Sequence, residues 1–247
     1  MKNSASRTDP RFFAPVDLAP GSEIRLPERA AHHLAVLRLR SGDNVTLFNG
    51  RGGEFTAELV RVSAGQAWAR ILTSSSPERE SLLRVSLAQC VSSGDRMDTT
   101  LQKSTELGVS RIVPIASERS VVRLSGDRAE KRVAHWRNVV IAACEQCGRN
   151  RVPEVAGITG IDAFLDDQEP GSLRLLLAPG AGRTLRELPR PDKVALLVGP
   201  EGGLTERERT SAERAGYVPV RFGPRVLRTE TAPLAAIAAM QTLWGDC

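Results

Sequence analysis

A glycine-rich stretch at 199–203, with the sequence GPEGG, has the residue types that could hold a ligand through its backbone. It follows an apolar run and precedes a helical pattern. Glycines let a backbone approach a ligand closely and expose its N–H groups. The stretch lacks the Lys-Ser/Thr pair of a P-loop, so two interpretations stay open: a ligand-binding loop or a tight strand-to-helix turn.

A second glycine-containing stretch, APGAG at 178–182, also follows an apolar run. It contains the pattern GxG, but Leu185 stands where a dinucleotide-binding fingerprint needs its third glycine. That fingerprint is therefore absent, and the stretch remains a loop that could line a ligand site.

A third stretch, GPRVLRTETA at 223–232, combines charged residues with the start of an alanine-rich helix. Arg225 and Arg228 lie just before the helix, where the positive end of the helix dipole disfavours cations. They therefore need an anionic partner, and the residues alone leave two choices: Glu230 or a phosphate group.

Strands alternate with helices after residue 80, which predicts an α/β domain with a parallel sheet and helices on both faces. Ligands bind beyond the carboxyl ends of the strands in such sheets, where all three stretches fall. The predicted strands are 83–88, 110–115, 173–178, 193–198 and 217–222, and the predicted helices are 96–107, 128–147, 205–215 and 231–244. The last helix is apolar nearly all round, which suits a core position or a subunit interface equally well.

The first 75 residues favour short strands instead. A strand at 23–26, a helix at 27–37, a hairpin at 44–60 and a strand at 66–72 predict a small β-barrel. The polar segment 73–80 is typical of a linker. We therefore predict two domains, spanning 1–75 and 80–247.

The basic residues are nearly all arginine, since only four of the 34 are lysine, and the net charge is +5. Arginine pairs bidentately with phosphate and stacks on bases, which favours nucleic acid as a partner, although arginine-rich codon usage explains the composition equally well. Aromatic residues make up only 4%, which argues against a base-stacking platform of the RRM type. Arg149 and Arg151 lie after a predicted helix, either as cationic C-caps or as RNA contacts.

The cysteine pattern excludes two further classes of site. Cys144 and Cys147 have CxxC spacing, but no second ligand pair for zinc exists, and the motif lies inside a helical pattern. We interpret both as helix residues without a metal or redox role. The sequence also shows no signal peptide and no apolar run of 18 residues, which predicts a cytoplasmic protein with no membrane contact.

Four motifs together resemble the ribosomal RNA small subunit methyltransferase E family of the SPOUT class. They are KSTELGV at 103–109, ACEQCGRNRVPEV at 143–155, LLVGPEGGLTERE at 196–208 and FGPRVLRTETA at 222–232. RFF at 11–13 and the stretch 32–55 extend the resemblance over nearly the whole chain. The resemblance implies methylation of uridine N3 in the 16S rRNA of the small ribosomal subunit, with S-adenosyl-L-methionine as the cofactor.

The resemblance also implies a PUA-like N-terminal β-barrel, a C-terminal SPOUT α/β domain with a trefoil knot, a homodimer and no need for a metal. The expected cofactor-binding residues are Leu177, Ala178, Leu197, Gly199, Gly202, Gly203, Gly223, Val226 and Leu227, and the expected RNA contacts are Arg11, Arg38, Arg149 and Arg151. Arg228 is expected to hold a phosphate or stabilise the uracil anion. Glu230 is expected either to remove the N3 proton or to orient Arg228.

Two other functions remain open on the sequence. One is SPOUT-type methylation of a different rRNA or tRNA nucleotide, because a fold does not fix a substrate. The other is a non-enzymatic rRNA-binding assembly factor, which the intact glycine loops disfavour.

Overall fold

The structure, a computed structural model, describes residues 9–63, 65–120 and 125–247. The chain forms two compact units. The first contains the described part of Met1–Glu80 together with Cys144–Val152, and the second contains the described parts of Ser81–Ala143 and Pro153–Cys247. The first unit thus takes in a short segment that lies inside the range predicted for the second domain. Residues 1–8, at the start of the predicted first domain, lie outside the described residues.

The first unit is built on a five-stranded sheet with the strand order β1-β3-β4-β5-β2. Its elements are β1 (Arg11–Phe13), β2 (Glu23–Arg25), α1 (Glu28–Val36), β3 (Asn44–Phe48), β4 (Glu54–Ser63) and β5 (Gln66–Ser75). Among the described strands of this sheet, β1 and β3 pair in parallel and the others pair antiparallel, and the predicted hairpin of β3 and β4 is confirmed. The prediction that a linker begins at residue 73 is wrong, because Thr73 and the two following serines pair with β4.

The core of the first unit follows from the alternation of side chains along its strands. In β5, the residues Ala67, Ala69 and Ile71 are buried, so Trp68 and Arg70 point to the opposite face. Helix α1 covers the buried face with Leu34 and two alanines. One face of the sheet is therefore packed and the other faces solvent.

The second unit contains a seven-stranded sheet in which every strand pairing is parallel, as predicted. Its strands are β6 (Arg84–Cys90), β7 (Val109–Ala116), β8 (Glu154–Val155), β9 (Thr159–Gly160), β10 (Leu173–Leu177), β11 (Lys193–Val198) and β12 (Val218–Val220). Its helices are α2 (Asp95–Glu106), α3 (Gly126–Cys147, whose last turn belongs to the first unit), α4 (Ile161–Asp166), α5 (Glu206–Arg214) and α6 (Thr231–Trp244), with a 3-10 turn at Leu185–Glu187. The strand order is β12-β10-β11-β6-β7-β8, and β9 also pairs with β7.

The sheet brings the three loops identified in the sequence to one edge. Parallel pairing aligns Leu177 of β10 with Val220 of β12, and Val198 of β11 with Gln89 of β6. Because neighbouring parallel strands end together, the segments that follow these strands emerge side by side.

Two helices position the site from the carboxyl edge of the sheet. Helix α5 begins at a capping box, in which the Thr205 hydroxyl accepts from the Glu208 N–H and the Glu208 carboxylate accepts from the Thr205 N–H, as predicted. Helix α6 buries Ile237, Met240 and Trp244 against the unit, but Leu243 remains 42% exposed. Of the helices that the structure describes, none is both long enough and apolar enough to cross a membrane.

Candidate active site

A cavity of about 730 Å³ lies at the carboxyl edge of the second unit's sheet. Loops 178–182, 199–203 and 223–230 contribute to its wall, and Arg96 of α2 adds a further side chain. The volume falls within the range of pockets that hold small-molecule ligands. The three stretches that the sequence singled out are therefore brought together at one site.

Most of the residues expected to bind the cofactor line this cavity. They are Leu177, Ala178, Gly199, Gly202, Gly203, Gly223, Val226 and Leu227. Leu197 does not line it, because its side chain is fully buried in the apolar core beneath the strand end, where it packs in the same cluster as Ala88 and Leu176. Arg228 and Glu230, expected to act in catalysis, lie in the same wall.

Loop 199–203 is both a tight turn and part of the cavity wall, so the two interpretations of its sequence are compatible. A Cβ atom at Gly199 would lie 3.2 Å from the backbone nitrogen of Leu204, closer than side chains normally approach. Gly203 has a φ of +67° and donates its N–H to the carbonyl of Pro200 at 2.9 Å. Both positions therefore require glycine for the loop to keep its shape.

A buried threonine connects two of the loops. Thr229 Oγ1 donates to the carbonyl of Gly199 at 2.9 Å and accepts from Nε2 of Gln89 at 3.2 Å. Gln89 is fully buried near the end of β6. The loop that carries Arg228 is thereby fixed to the glycine turn and to the central sheet.

A charge cluster occupies the next part of the wall. Arg96 donates through Nη1 to Oε1 of Glu201 at 2.9 Å, and its Nε lies 3.9 Å from Oε2 of Glu230. The same Glu201 oxygen accepts from the backbone N–H and the hydroxyl of Ser93, both at 3.1 Å. Arg96 therefore lies between two carboxylates at the cavity.

The environment of Glu201 keeps it ionised at neutral pH. Partial burial raises the pKa of its carboxyl group, but hydrogen bonds from the backbone, from Arg96 and from the Ser93 hydroxyl together lower the pKa by more. The net pKa therefore lies below its ordinary value. The sequence alone did not predict Arg96, Glu201, Gln89 or Thr229 as site residues.

Glu230 is not the anionic partner of Arg228. Its ion-pair partner is Arg96, and its Oε2 atom is buried without a hydrogen-bond donor among the described residues. Arg225 and Arg228 are exposed in the wall, and neither lies within ion-pair distance of a carboxylate in the described parts of the chain. The cavity wall therefore carries two exposed guanidinium groups that have no carboxylate partner among the described residues.

The four arginines expected to contact RNA lie in the first unit and fall into two pairs. Arg11 is engaged by Glu54 and by the side chain of Asn150, each at 2.6 Å, and its side chain is 11% exposed. Arg149 forms an ion pair with Glu80, and its side chain is 6% exposed. Both are held inside the unit and present little surface to RNA.

Arg38 and Arg151 are the exposed pair. Arg38 adopts a left-handed backbone conformation with a φ of 57°, two residues after the end of α1. Arg151 donates to the carbonyl of Arg51 at 2.9 Å and keeps a side-chain exposure of 55%. These two side chains can reach a polyanion without rearrangement of the unit.

The interpretation of Cys144 and Cys147 as helix residues agrees with the structure. Cys144 and Cys147 are residues of α3 with free thiols. Burial raises the pKa of the Cys144 thiol to about 12, which keeps it protonated and unreactive at neutral pH.

The class of protein that the fold and the site define is also found by comparison with protein families. A family described as RNA methyltransferase domain matches residues 78–241, and one described as RNA methyltransferase PUA domain matches residues 26–72. The chain is thus an RNA methyltransferase with an N-terminal PUA-like sheet domain and a C-terminal α/β domain.

Full-length relatives narrow this class to one family. A ribosomal RNA small subunit methyltransferase E from Buchnera aphidicola is 34% identical over 239 residues, covering 96% of this chain and 97% of the relative. Its counterpart from Bacillus subtilis is 30% identical, covering 86% and 87% respectively. The chain belongs to the ribosomal RNA small subunit methyltransferase E family, as its motifs predicted.

Solved structures agree in fold over most of the chain. A ribosomal RNA small subunit methyltransferase E from Neisseria gonorrhoeae, bound to S-adenosyl methionine, is 49% identical with a TM-score of 0.93, covering 96% of this chain and 99% of that one. A putative methyltransferase from Legionella pneumophila, in complex with the same cofactor, is 40% identical with a TM-score of 0.94, covering 97% and 99%. The predicted fold class and the predicted S-adenosylmethionine-dependent enzyme class are confirmed.

Proposed function

We propose that this protein transfers a methyl group from S-adenosyl-L-methionine to N3 of a uridine in the 16S rRNA of the small ribosomal subunit. The observation that carries the proposal is the cavity, which is lined by eight of the nine residues expected to bind the cofactor. Membership of the family supports the same substrate class.

The residues of the cavity fit this cofactor. The Gly199 turn leaves no room for a side chain, so the backbone itself forms the wall, as recognition of an adenosine through main-chain groups requires. Leu177, Val226 and Leu227 supply apolar surface for a base and an aliphatic chain. The bound cofactor supplies a methyl group activated by a sulfonium, and no other chemistry is required of it.

The protein's own residues then have two tasks. Uridine N3 carries a proton that must leave before N3 can form a bond to the methyl carbon, and in this proposal the carboxylate of Glu230, which lies in the cavity wall beside Arg96, accepts it. As the bond from carbon to sulfur breaks, its electron pair stays on sulfur. Arg228, which has no carboxylate neighbour in the described chain, stabilises the negative charge on the uracil ring or holds the adjacent phosphate.

Exposed apolar side chains support a homodimer. Val226 is 79% exposed beside the cavity, and Leu243 on α6 is 42% exposed. A second copy of the chain would remove such surface from water. The trefoil knot and the independence from metal remain predictions from the family resemblance, and the cytoplasmic location remains a prediction from the sequence.

The test is methylation of small ribosomal subunits that lack the modification. Purified protein is incubated with S-adenosylmethionine carrying an isotopically labelled methyl group, and digested nucleosides are analysed by mass spectrometry. Labelled 3-methyluridine is expected, whereas label in another nucleoside or in tRNA favours the alternative substrate. Bound cofactor without label in any nucleoside contradicts the proposed substrate and favours a different RNA, whereas absence of both label and cofactor binding favours an assembly factor.

Arg228→Ala tests the assignment of the reaction to this site. The variant is expected to bind cofactor normally but to lose at least about 100-fold in methylation rate, the range seen when a transition-state charge donor is removed. Arg190→Ala, an exposed arginine of the same unit outside the cavity wall, is the matched control. Full activity of Arg228→Ala would contradict the assignment of the reaction to this cavity.

A further inference from the structure

One tryptophan of the protein lies at the surface of the first unit. Trp136 and Trp244 are 1% and 7% exposed, but Trp68 is half-buried on the solvent face of the five-stranded sheet. Its strand neighbours Ala67 and Ala69 are fully buried. The indole therefore spreads over the outer face of the sheet instead of entering the core.

Two arginines flank this indole in strand register. Arg25 of β2 pairs with Trp68 from one side, and Arg61 of β4 pairs with it from the other. Their guanidinium carbons lie 5.8 Å and 3.8 Å from the ring centroid. The three side chains form a row across three strands, which we call the Arg25–Trp68–Arg61 row.

A strand irregularity produces this arrangement. Leu59 pairs with Ala69, but the next pair is Arg61 with Trp68, so Val60 is an extra residue in β4. With regular pairing, Val60 would lie opposite Trp68 and Arg61 would lie on the other face. A β-bulge of this kind re-aims side chains, and here it turns Arg61 onto the exposed ring.

The charges of the row are not neutralised by the sheet. Within the described residues, neither Arg25 nor Arg61 lies within ion-pair distance of a carboxylate, and both are exposed. The next outward side chain along β5, Arg70, has Glu23 at 3.8 Å. Cation–π contact alone stabilises a sheet only slightly, and it does not require two cations on one ring. Two guanidinium groups without a carboxylate partner could pair with the charges of a polyanion, and the aromatic ring beside them could stack on planar rings that the polyanion carries.

We propose that the Arg25–Trp68–Arg61 row is an RNA-contact site of the first unit, which takes a single-stranded stretch of the RNA substrate. The two guanidiniums bind successive phosphates, and the indole or the guanidinium plane above it stacks on a base. This site rests on the proposed function for its choice of RNA. The low aromatic content excludes an extended stacking platform, but one tryptophan is sufficient for a single stacked base.

The experiment measures binding of a fluorescein-labelled twelve-residue oligouridylate to the full-length protein by anisotropy, at several salt concentrations. Trp68→Ala is expected to weaken binding about 5- to 100-fold, the range for loss of one stacked base. Trp68→Phe keeps an aromatic face and is expected to stay close to wild type. The double variant Arg25→Gln/Arg61→Gln is expected to make the slope of log affinity against log salt less steep by about 1.4, because two phosphate contacts are lost.

The double variant Arg186→Gln/Arg190→Gln is the matched control, because it removes two exposed arginines from the second unit. Unchanged affinity and salt slope in Arg25→Gln/Arg61→Gln, with a wild-type circular dichroism spectrum, overturns the proposal. So does failure of the wild-type protein to bind the oligonucleotide while it methylates small subunits. Absence of methylation with the expected changes in RNA binding counts against the proposed function alone.

Discussion

The hydroxyl of Thr229 donates a hydrogen bond of 2.9 Å to the carbonyl of Gly199, across a sequence separation of 30 residues. This bond joins the loop that carries Arg228 and Glu230 to the glycine turn after β11. Thr229 is 7% exposed. If the bond to the Gly199 carbonyl broke, water could therefore not take the place of that carbonyl as the partner of the hydroxyl. The geometry of the cofactor cavity and that of the catalytic loop are therefore coupled.

Thr229→Val tests this coupling, because valine preserves the shape of threonine without its hydroxyl. The variant leaves the Gly199 carbonyl without this donor, and we expect cofactor affinity to fall about tenfold, the equivalent of about 1.4 kcal/mol. Isothermal titration calorimetry with S-adenosylmethionine measures the change, and Thr229→Ser should restore most of the affinity. Thr242→Val, an exposed position on α6, is the control. Equal affinity of Thr229→Val and wild type would show that the bond does not shape the cavity.

The glycine turn itself provides a second prediction. Gly199→Ala places a Cβ atom 3.2 Å from the Leu204 nitrogen, and Gly203→Ala puts a side chain on a residue with a φ of +67°. Either change forces the loop to move, so we expect cofactor binding to weaken at least tenfold in each variant. Gly182→Ala is the matched control in the neighbouring loop, where a Cβ atom would have no atom within 4 Å. A loss in Gly182→Ala as large as in the other two would contradict a specific role for the turn.

Much of this architecture could be predicted from the sequence. The β3–β4 hairpin, the parallel strands β6, β7, β10, β11 and β12, and the capped helix α5 all carry strong local signals. The two-residue strands β8 and β9 do not, because two residues show no periodicity. The three glycine- or arginine-containing loops were found because each follows an apolar strand, and parallel strands place such loops at one edge.

The contacts within the site were less predictable. Arg96 reaches Glu201 and Glu230 across more than 100 residues of sequence, and only the strand order brings α2 to that edge. From the sequence, Glu230 and a phosphate group were the two candidate partners of Arg228. The structure instead pairs Glu230 with Arg96, which the sequence did not predict. Leu197 was expected at the site because it lies one position from the end of its strand, but its side chain packs into the core. Motifs locate loops, whereas strand register decides which side chains meet.

Arg96→Gln tests the charge cluster. The cation that lies between Glu201 and Glu230 is lost, so both carboxylates lose their shared ion-pair partner, and we expect the methylation rate to fall about tenfold or more. The pKa of Glu201 should rise towards its ordinary value, because one of the hydrogen bonds that lower it is removed. The acid limb of activity should therefore move to higher pH, which a pH profile of the methylation rate measures.

Two variants separate this effect from general loss of charge. Arg96→Lys keeps a cation and should recover part of the rate, although it cannot donate through the same fork. Arg209→Gln removes another arginine of the cavity wall, one that pairs with Glu206 and Glu213 of its own helix, and should have a smaller effect. An unshifted acid limb in Arg96→Gln would argue against the cluster as the source of the pH dependence.

A carboxylate of the first unit provides a prediction on stability. Oε2 of Glu54 accepts from Arg11 at 2.6 Å and from Arg79 at 2.9 Å, and its side chain is 19% exposed. Partial burial raises the pKa of Glu54, but the two arginines lower it by more, so the net pKa lies below the ordinary value of 4.5. A carboxyl group whose pKa is lowered by folding stabilises the folded state above its unfolded pKa, and this contribution disappears as the pH falls through the folded value.

Glu54→Gln should therefore lower the free energy of unfolding by about 2 kcal/mol at pH 7, the range for hydrogen bonds to a charged group. The difference from wild type should shrink as the pH falls below the ordinary value of 4.5, because protonation of the wild-type carboxyl group removes the same charge. Urea unfolding followed by circular dichroism measures both values. Glu23→Gln, whose carboxylate lies 3.8 Å from Arg70 at the surface, is the control and should change little at either pH. A difference between Glu54→Gln and wild type that stays constant on acidification would show that packing, and not the charge of Glu54, stabilises this part of the unit.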